Sequence, residues 1–427
     1  MMERRSFLKT AGALAGSLVA NTPPGKAASY PIEHFVLVMM ENRSFDHLVG
    51  WLPNADGQQA GVMYKDANGA LQSTFPLAPD YTGCDYPDPD HSYQGGRTEY
   101  DNGMMDGFLQ VQPGSLFPIG YYSETALPFH AALAREYVTC DRYFPSILGP
   151  TFPNRIFQHA GQTDRLGDSI TPICTLPTIW DHLQGAGVSH KYYFGNVPIL
   201  GLWGTKYLNI SFPHSHFLTD CAAGTLPAVS YVDPSFTLLA NLAEDDHPQS
   251  DVRNGDAFLS EVFAAVTQSP NWPNTALIIN FDEWGGFFDH VTPPRALAPN
   301  NVDPDLMDGK ALLGIRVPCI IVSPWTKGQP NDPAVSHTVF DHTSVLKLIE
   351  SVWNVAPLAA RETSNDVGNL LEVFDFGSSN LAVPVMPPAR RVIPSQFCTS
   401  SILGNAGHES SFQEIINSGI LRGWPGF

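Results

Sequence analysis

Short apolar runs alternate along this chain with segments whose apolar positions recur at helical spacing. The runs Phe35–Met40, Val229–Val232, Ala276–Phe281 and Cys319–Ser323 are nearly unbroken. Runs of that length and continuity predict strands buried on both faces. Helices are predicted over Pro128–Tyr137, Thr178–Gly185, Gly255–Gln268 and His342–Trp353. In the third, Phe258, Leu259, Val262, Phe263 and Val266 share one helical face. The alternation predicts an α/β fold: a mainly parallel central sheet with helices on both faces. The stretch from Gly50 to Tyr122 is rich in Gly, Pro, Asp and Asn and predicts long loops laid over a sheet edge. Residues 376–398, rich in Pro, Ser and Val, predict a surface wrap, and 411–421 a short final helix. With no repeat, charge block or clear linker, the pattern predicts one domain over 28–355 and a C-terminal extension, 356–427, packed on it.

The first 27 residues fit a leader better than a fold. Glu3-Arg4-Arg5-Ser6-Phe7-Leu8-Lys9 precedes an apolar run from Ala11 to Ala20, and Gly25-Lys26-Ala27 offers small residues for cleavage after Ala27. Basic, apolar and small-residue regions in that order predict a signal peptide. The Arg pair followed by Phe-Leu-Lys resembles a twin-arginine signal, which carries folded proteins. Export to the periplasm or the extracellular space is therefore expected. Downstream, no stretch reaches the roughly 18 to 20 unbroken apolar residues that a spanning helix needs.

Charge narrows the partners. The whole chain has 23 Lys and Arg against 42 Asp and Glu. Cleavage after Ala27 removes four basic residues and one acidic residue, leaving 19 against 41, a balance of −22. Such a surface repels nucleic acid and anionic membranes. A zwitterionic lipid surface or a soluble phosphate ester suits it better. The cysteines, Cys84, Cys140, Cys174, Cys221, Cys319 and Cys398, lack the close spacing of a zinc ribbon. An oxidising compartment permits disulfides, and Cys319, inside an apolar run, suits a buried thiol as well as a bridge.

Three segments carry candidate chemistry. The first predicted strand runs into Glu41-Asn42-Arg43-Ser44-Phe45-Asp46. Ligands collect at the carboxyl ends of strands in open α/β sheets, and Glu41 and Asn42 offer two hard oxygen donors there. Asn42 or Ser44 also suits the N-cap of a following helix. The third predicted strand ends in Asp282-Glu283-Trp284-Gly285-Gly286-Phe287-Phe288-Asp289-His290. Adjacent carboxylates repel each other unless a cation or an Arg lies between them. The Gly pair allows a sharp turn or close approach to a ligand. Asp289 is placed to fix the tautomer of His290 or raise its pKa. Trp284 suits either a cation–π contact with a ligand or plain packing.

The third segment is Gly149-Pro150-Thr151-Phe152-Pro153-Asn154-Arg155, followed by a helix-like Ile156–Gly161. A hydroxyl at a helix start can cap it, and the same position stabilises an alkoxide and binds phosphate. A bare hydroxyl is a weak nucleophile that metal coordination activates. Arg155 or Asn154 is placed to hold phosphoryl oxygens. His91, after Asp88-Pro89-Asp90, and His247, after Glu244-Asp245-Asp246, each follow carboxylates. Such a His can stay protonated and act as a general acid, or simply bond its neighbours in a loop. Asp341-His342 reads as a helix start.

Taken together, Glu-Asn-Arg-Ser-Phe-Asp at 41–46, Asp-Pro-Asp-His at 88–91, Met105-Asp106-Gly107-Phe108, Thr-x-Pro-Asn-Arg at 151–155, Asp-Asp-His-Pro at 245–248 and Asp-Glu-x-Gly-Gly-Phe-Phe-Asp-His at 282–290 resemble the phosphoesterase family. That family contains bacterial phospholipases C, plant non-specific phospholipases C and related acid phosphatases. The motifs run in the family's order from residue 34 to about 350. The resemblance implies an alkaline-phosphatase-like fold. It implies that Glu41, Asn42, Asp282 and Glu283 bind one divalent metal ion, and that Thr151, on the same ion, is the nucleophile. His91, His247 and His290 would line the phosphate site. Trp284 stands where the plant members are expected to carry His, so the pocket rim differs. The extension 356–427 lacks the extra modules of larger bacterial phospholipases, so phosphoester chemistry is better supported than lipid docking.

The implied ligands are all oxygen donors, which favours Ca²⁺, Mg²⁺ or Mn²⁺ and leaves Zn²⁺ possible. The expected enzyme is a phosphoric diester hydrolase of phospholipase C type. It would cleave phospholipids such as phosphatidylcholine to diacylglycerol and a phosphorylated head group through a phospho-threonine. Thr151 attacks phosphorus and His290 or His247 protonates the leaving oxygen. A phosphomonoesterase of acid phosphatase type is the nearest alternative, and a secreted binding protein without turnover a minor one.

Overall fold

In the computed structural model the described residues are 30–236, 243–393 and 407–427. The leader, 1–27, lies outside them. Strands His34–Met40 (β1), Val138–Cys140 (β2), His190–Phe194 (β3), Ser211–Pro213 (β4), Val229–Asp233 (β5), Thr275–Phe281 (β6), Cys319–Val322 (β7) and Val335–Ser336 (β8) form one sheet. Its spatial order is β8-β2-β7-β6-β1-β5-β3-β4. Every pairing is parallel except the two made by β7, which runs against both β6 and β2. The sheet is therefore mixed and mostly parallel. In β1, Phe35 through Met40 are all buried, so both faces of the sheet are covered. This explains its unbroken apolar run.

The covering helices are Phe45–Val49 (α1), Tyr93–Tyr100 (α2), Pro128–Glu136 (α3), Thr151–Ala160 (α4), Ile179–Gly185 (α5), His214–Ala223 (α6), Val252–Gln268 (α7), His342–Trp353 (α8) and Gly407–Asn417 (α9). α4 packs on α5 and α8, while α7 packs on α3 and α6. Among the described residues no helix is long and apolar enough to cross a membrane.

Several elements differ from the sequence reading, each for a local reason. α7 starts three residues before Gly255 because the Asp251 side chain accepts from Arg253 N and caps it. α4 begins at Thr151 itself, and Pro153 sits in its first turn, where a missing N–H costs nothing. The stretch 50–122 is mostly irregular, yet it holds α2 and a small antiparallel hairpin, Met63–Lys65 with Leu71–Ser73. Two glycines inside α2 hide its pattern, while Ser92 Oγ caps it by accepting from Gly95 N. β2, β4 and β8 are too short to give a period. α9 starts and ends four residues earlier than the 411–421 helix read from the pattern.

Residues 376–393 contain no regular element and run across the surface. Asn380 N donates to Pro324 O, Lys327 Nζ to Ala382 O, and Val392 N to Asn254 Oδ1. Cys140, Cys174, Cys221 and Cys319 are buried free thiols. Cys84 is disulfide-bonded.

Candidate active site

β1 and β6 are parallel neighbours in register, with Met40 opposite Phe281. Glu41 and Asp282 therefore leave the sheet side by side. Asn42, at φ 61°, turns its backbone N–H onto Asp282 Oδ1 at 3.1 Å across 240 residues of chain. Asn tolerates this left-handed region better than most side chains. Gly285, at φ 65°, passes so close that a Cβ there would lie 2.0 Å from Asn42 O. The glycine after Trp284 is thus required by backbone approach.

Thr151 arrives from the start of α4. Its Oγ1 lies 3.3 Å from Glu41 Oε1 and 3.2 Å from Asn42 Oδ1. The hydroxyl does not cap the helix: Pro150 is the N-cap residue. The neighbouring Phe152 N donates to Asp168 Oδ1 at 2.7 Å, so that helix-start donor already holds a carboxylate rather than facing an open anion site. Glu283 turns Oε2 onto Gly285 N at 2.7 Å. Its Oε1 lies 3.9 Å from His91 Nε2. Glu41, Asn42, Thr151, Asp282 and Glu283 are all fully buried.

His91 Nε2 is 3.2 Å from Asn42 Nδ2, and His91 Nδ1 is held by Pro89 O at 2.7 Å. His247 is held the same way, Nδ1 on Pro248 O at 2.7 Å. Its Nε2 lies 3.7 Å from Asp88 Oδ2. The two imidazoles cross edge to face at 6.1 Å. A carbonyl on Nδ1 presents Nε2 to the reacting side. A carboxylate oxygen of Asp88 and one ring nitrogen each of His91 and His247 lie within 4.8 Å of one another, a group that could hold a metal ion. Asp88 was legible only as part of its motif. Asp245 was a further omission: its carbonyl accepts from Glu41 N at 2.8 Å and ties the His247 loop to the end of β1.

Three other residues take places that the sequence did not predict, and Trp284 takes the packing alternative. His290 lies in a separate cluster, with Nδ1 2.5 Å from Asp46 Oδ2 and Nε2 3.1 Å from Asp56 Oδ1. Both ring nitrogens are taken by carboxylates, so neither can protonate a leaving oxygen. Burial opposes its cation, yet Asp46 outweighs burial and raises its pKa. Asp289, expected to orient it, instead binds Arg316 Nε at 2.9 Å. Arg316 also reaches Asp46, so a guanidinium already supplies the positive charge among these acids. Asn154 is spent on backbone, donating to Gly149 O at 2.8 Å and Ile147 O at 3.2 Å. It shapes the loop ahead of Thr151 rather than holding substrate.

Arg155 faces protein carboxylates, not an open phosphate site. Its Nε donates to Asp282 Oδ2 at 3.0 Å and its Nη1 to Asp233 Oδ1 at 3.3 Å. Burial disfavours its charge, but Asp282, Asp233 and Glu41 together raise its pKa above the usual value. Asp233, at the end of β5, and Tyr192, whose hydroxyl reaches it at 2.5 Å, were missed because neither sits in a recognisable motif. Trp284 is fully buried, and its Nε1 donates to Glu99 Oε2 at 2.7 Å. The ring packs on Gly96 of α2, so it belongs to the core and offers no face to choline.

The donors at the strand ends suit a divalent cation. Glu41, Asn42, Thr151, Asp282 and Glu283 lie buried at the ends of β1 and β6 and the start of α4, with Arg155 paired to Asp282. Buried like charges need a cation between them. The 3.2–3.3 Å spacings around Thr151 Oγ1 also suit neighbouring ligands of one small ion. Glu41, Asn42, Asp282, Glu283 and Thr151 are the residues that would hold it.

A mostly parallel sheet that gathers a hydroxyl, an amide and carboxylates at its strand ends defines an α/β protein with an enzyme-type site. The chain belongs to the phosphoesterase family, whose family model matches residues 32–356. It is similar to non-specific phospholipase C6 of Arabidopsis thaliana, 35% identical over 362 residues, covering 76% of this chain and 69% of that one. It is also similar to phospholipase C B of Mycobacterium tuberculosis, at 31% identity with 88% and 86% covered. Membership and these relatives make it a phosphoric ester hydrolase. Among solved structures, one of an alkaline phosphatase superfamily protein from Vibrio parahaemolyticus is similar at a TM-score of 0.37 and 11% identity, covering 79% of this chain and 71% of that one. Nothing about chemistry follows from a likeness of that degree.

Proposed function

We propose that the protein is an exported, metal-dependent phospholipase C that acts through a phospho-threonine. The observation that carries this reading is the Thr151 hydroxyl, 3.2–3.3 Å from Asn42 Oδ1 and Glu41 Oε1 at the start of α4. The phospholipase C names of its relatives support the substrate class. The order of basic, apolar and small residues in the leader supports export.

The chain's own groups divide the work. Thr151 Oγ1 attacks phosphorus while its proton passes to Glu41 Oε1, the acceptor it already faces. The bond to the diacylglycerol oxygen breaks, and that oxygen takes a proton from His247 Nε2. Asp88 Oδ2 lies 3.7 Å from that nitrogen. His91, beside Asn42 and Glu283, faces the phosphoryl oxygens. His247 then draws a proton from water, which attacks phosphorus; the P–O bond to Thr151 breaks and Thr151 Oγ1 takes its proton back from Glu41. A divalent ion on the five oxygen ligands would supply Lewis-acid stabilisation of phosphoryl charge.

To test the reading, the mature chain from residue 28 is incubated with labelled phosphatidylcholine and the products are separated. Diacylglycerol and phosphocholine are expected. Phosphatidic acid with free choline would mean a phospholipase D. Inert phospholipids with brisk turnover of small monoesters would move the protein to the phosphomonoesterases. Cell fractionation checks export, and retention in the cytoplasm would overturn that part.

A further inference from the structure

The segment after β1 holds a charged side chain that the proposed reaction does not use. Arg43 directly follows Glu41 and Asn42 and is fully buried. Its backbone N donates to Glu283 O at 3.1 Å, which ties it to the end of β6. Its guanidinium donates in two directions: Nε to Asp246 O at 2.6 Å and Nη1 to His47 Nε2 at 3.0 Å. The direction of the second bond is fixed by His47 Nδ1, which donates to Gly120 O at 2.8 Å and leaves Nε2 as an acceptor. Burial, and then Arg43, hold the His47 pKa well below its ordinary value, so the ring stays neutral. Phe287 packs on both groups, its ring centroid 3.8 Å from that of His47 and 4.7 Å from the guanidinium carbon. These contacts give the guanidinium one orientation, and in it Nε meets the residue before His247. Asp246 sits at φ 74°, in the left-handed region, and its side chain lies over Gly255 of α7, where a Cβ would come within 1.9 Å of Oδ1. Backbone in that region persists only where its surroundings over-determine it. Two successive carbonyls of this loop are held from one short segment: Asp245 O by Glu41 N at 2.8 Å, and Asp246 O by Arg43 Nε.

We infer that Arg43 is a positioning residue for His247: by clamping the Asp246 carbonyl it sets the imidazole at a fixed place relative to Glu41, Asn42 and the leaving oxygen. The inference rests on the reading of His247 as the general acid. An acid works only within hydrogen-bond reach of the atom it protonates, and a small misplacement of a reacting group can lower the rate about 10²-fold. Glu41 and Arg43 flank Asn42, so the segment that supplies two proposed metal ligands also places the acid. Through His47, the same guanidinium is braced against Gly120 O on the far side.

The test compares kcat/KM on two substrates that differ in their need for an acid. Phosphatidylcholine must expel an alkoxide, which needs a proton, whereas p-nitrophenyl phosphocholine expels a nitrophenolate, which does not. Arg43→Gln should lower kcat/KM on phosphatidylcholine by about 10²-fold and on the nitrophenyl ester by far less. Loss of folded protein lowers both rates alike and cancels in their ratio. Arg43→Lys should recover part of the ratio, because an ammonium keeps a donor for the Asp246 carbonyl but lacks the planar fork that also serves His47. It carries the same comparison if the Gln variant does not fold. In a His247→Ala background, Arg43→Gln should add little on phosphatidylcholine, since the acid it places is gone. Equal losses on the two substrates, no loss on either, or additive losses in the double variant would overturn the inference. Wild type that leaves phosphatidylcholine intact but turns over monoesters would sink the phospholipase reading alone, and the ratio of an alkyl phosphate to nitrophenyl phosphate would then decide the role of Arg43.

Discussion

Arg155 Nε meets Asp282 Oδ2 at 3.0 Å with both side chains shut away from solvent. The pair joins the helix that carries Thr151 to the strand that carries Asp282 and Glu283. Removing one partner of a buried pair leaves an uncompensated charge and typically costs about 3 to 5 kcal/mol. Arg155→Ala should therefore lower the melting temperature sharply and abolish turnover. Arg155→Lys should recover part of the stability but not the forked contact with Asp233. Thermal denaturation of both variants checks this, and an Arg155→Ala protein as stable as wild type would contradict it.

Thr151→Ala should separate chemistry from folding. The hydroxyl is not the cap of α4, so its loss removes a hydrogen bond worth about 1 kcal/mol and little else. Turnover should fall by about 10³-fold or more, as for other nucleophile deletions. Thr151→Ser should keep measurable activity. Near-normal turnover in the Ala variant would remove Thr151 from its role.

The two histidines after carboxylates should behave differently. His247→Ala should cost about 10²- to 10⁴-fold in turnover, the usual share of a general acid. His290→Gln should leave turnover largely intact and lower stability, because it loosens Asp46 and Asp56. Steady-state rates and melting curves on the two variants decide between them. A His290 variant that is stable but inactive would restore His290 to the site.

What could be read from sequence followed the range of the contacts involved. The strands β1 and β6 and the residues at their carboxyl ends were legible because burial on both faces leaves an unbroken apolar run, and Glu41 and Asp282 directly follow it. Thr151 was legible from its place at a helix start. The sequence could not tell His247 from His290, since both follow acids. The difference lies in partners 244 residues away for His290, and in a prolyl carbonyl one residue away for His247. Arg155 looked like a phosphate clamp because nothing local revealed Asp233, 78 residues on. Trp284 looked like a possible rim residue until α2, hidden by its glycines, was found to cover it.

Stability should also report a pair of acids far along the chain. Glu350 of α8 and Glu362 are 6% and 5% exposed. Glu362 Oε1 lies over Gly161, the C-cap of α4, where a Cβ would come within 2.2 Å of it. Burial raises both carboxyl groups above the ordinary range; Glu362 adds to the rise at Glu350 against Lys347, while at Glu362 Asp341 adds to it and the hydrogen bond with Glu350 opposes it. A folded pKa above the unfolded one means stability is fully present below the unfolded value and is lost as pH rises through the folded one. The melting temperature should therefore fall from near pH 4.5 towards pH 9, the window set by the ordinary Glu value and by Glu350, pushed up to about 9. Glu362→Gln should flatten that slope and stabilise the protein at pH 8. An unchanged slope in the variant would exclude the pair as its source.

Metal removal gives the last test, and it should act on both activity and stability. The ligands Glu41 and Asn42 leave β1, Asp282 and Glu283 leave β6, and Thr151 opens α4, so one ion would tie three elements together. Without it, the buried carboxylates at the ends of β1 and β6 lose that stabilisation, while Arg155 still pairs with Asp282. A bound ion stabilises the folded state by an amount that grows with the logarithm of its concentration. Exhaustive chelation, verified by elemental analysis, should therefore abolish turnover and lower the melting temperature. Adding Ca²⁺, Mg²⁺ or Mn²⁺ separately should restore both together, and the ion that restores them at the lowest concentration is the preferred one. Glu283→Gln should weaken that recovery by removing one charge while keeping an oxygen donor. Full activity in protein shown to be free of metal would overturn the metal assignment and leave Thr151 to be activated by Glu41 alone.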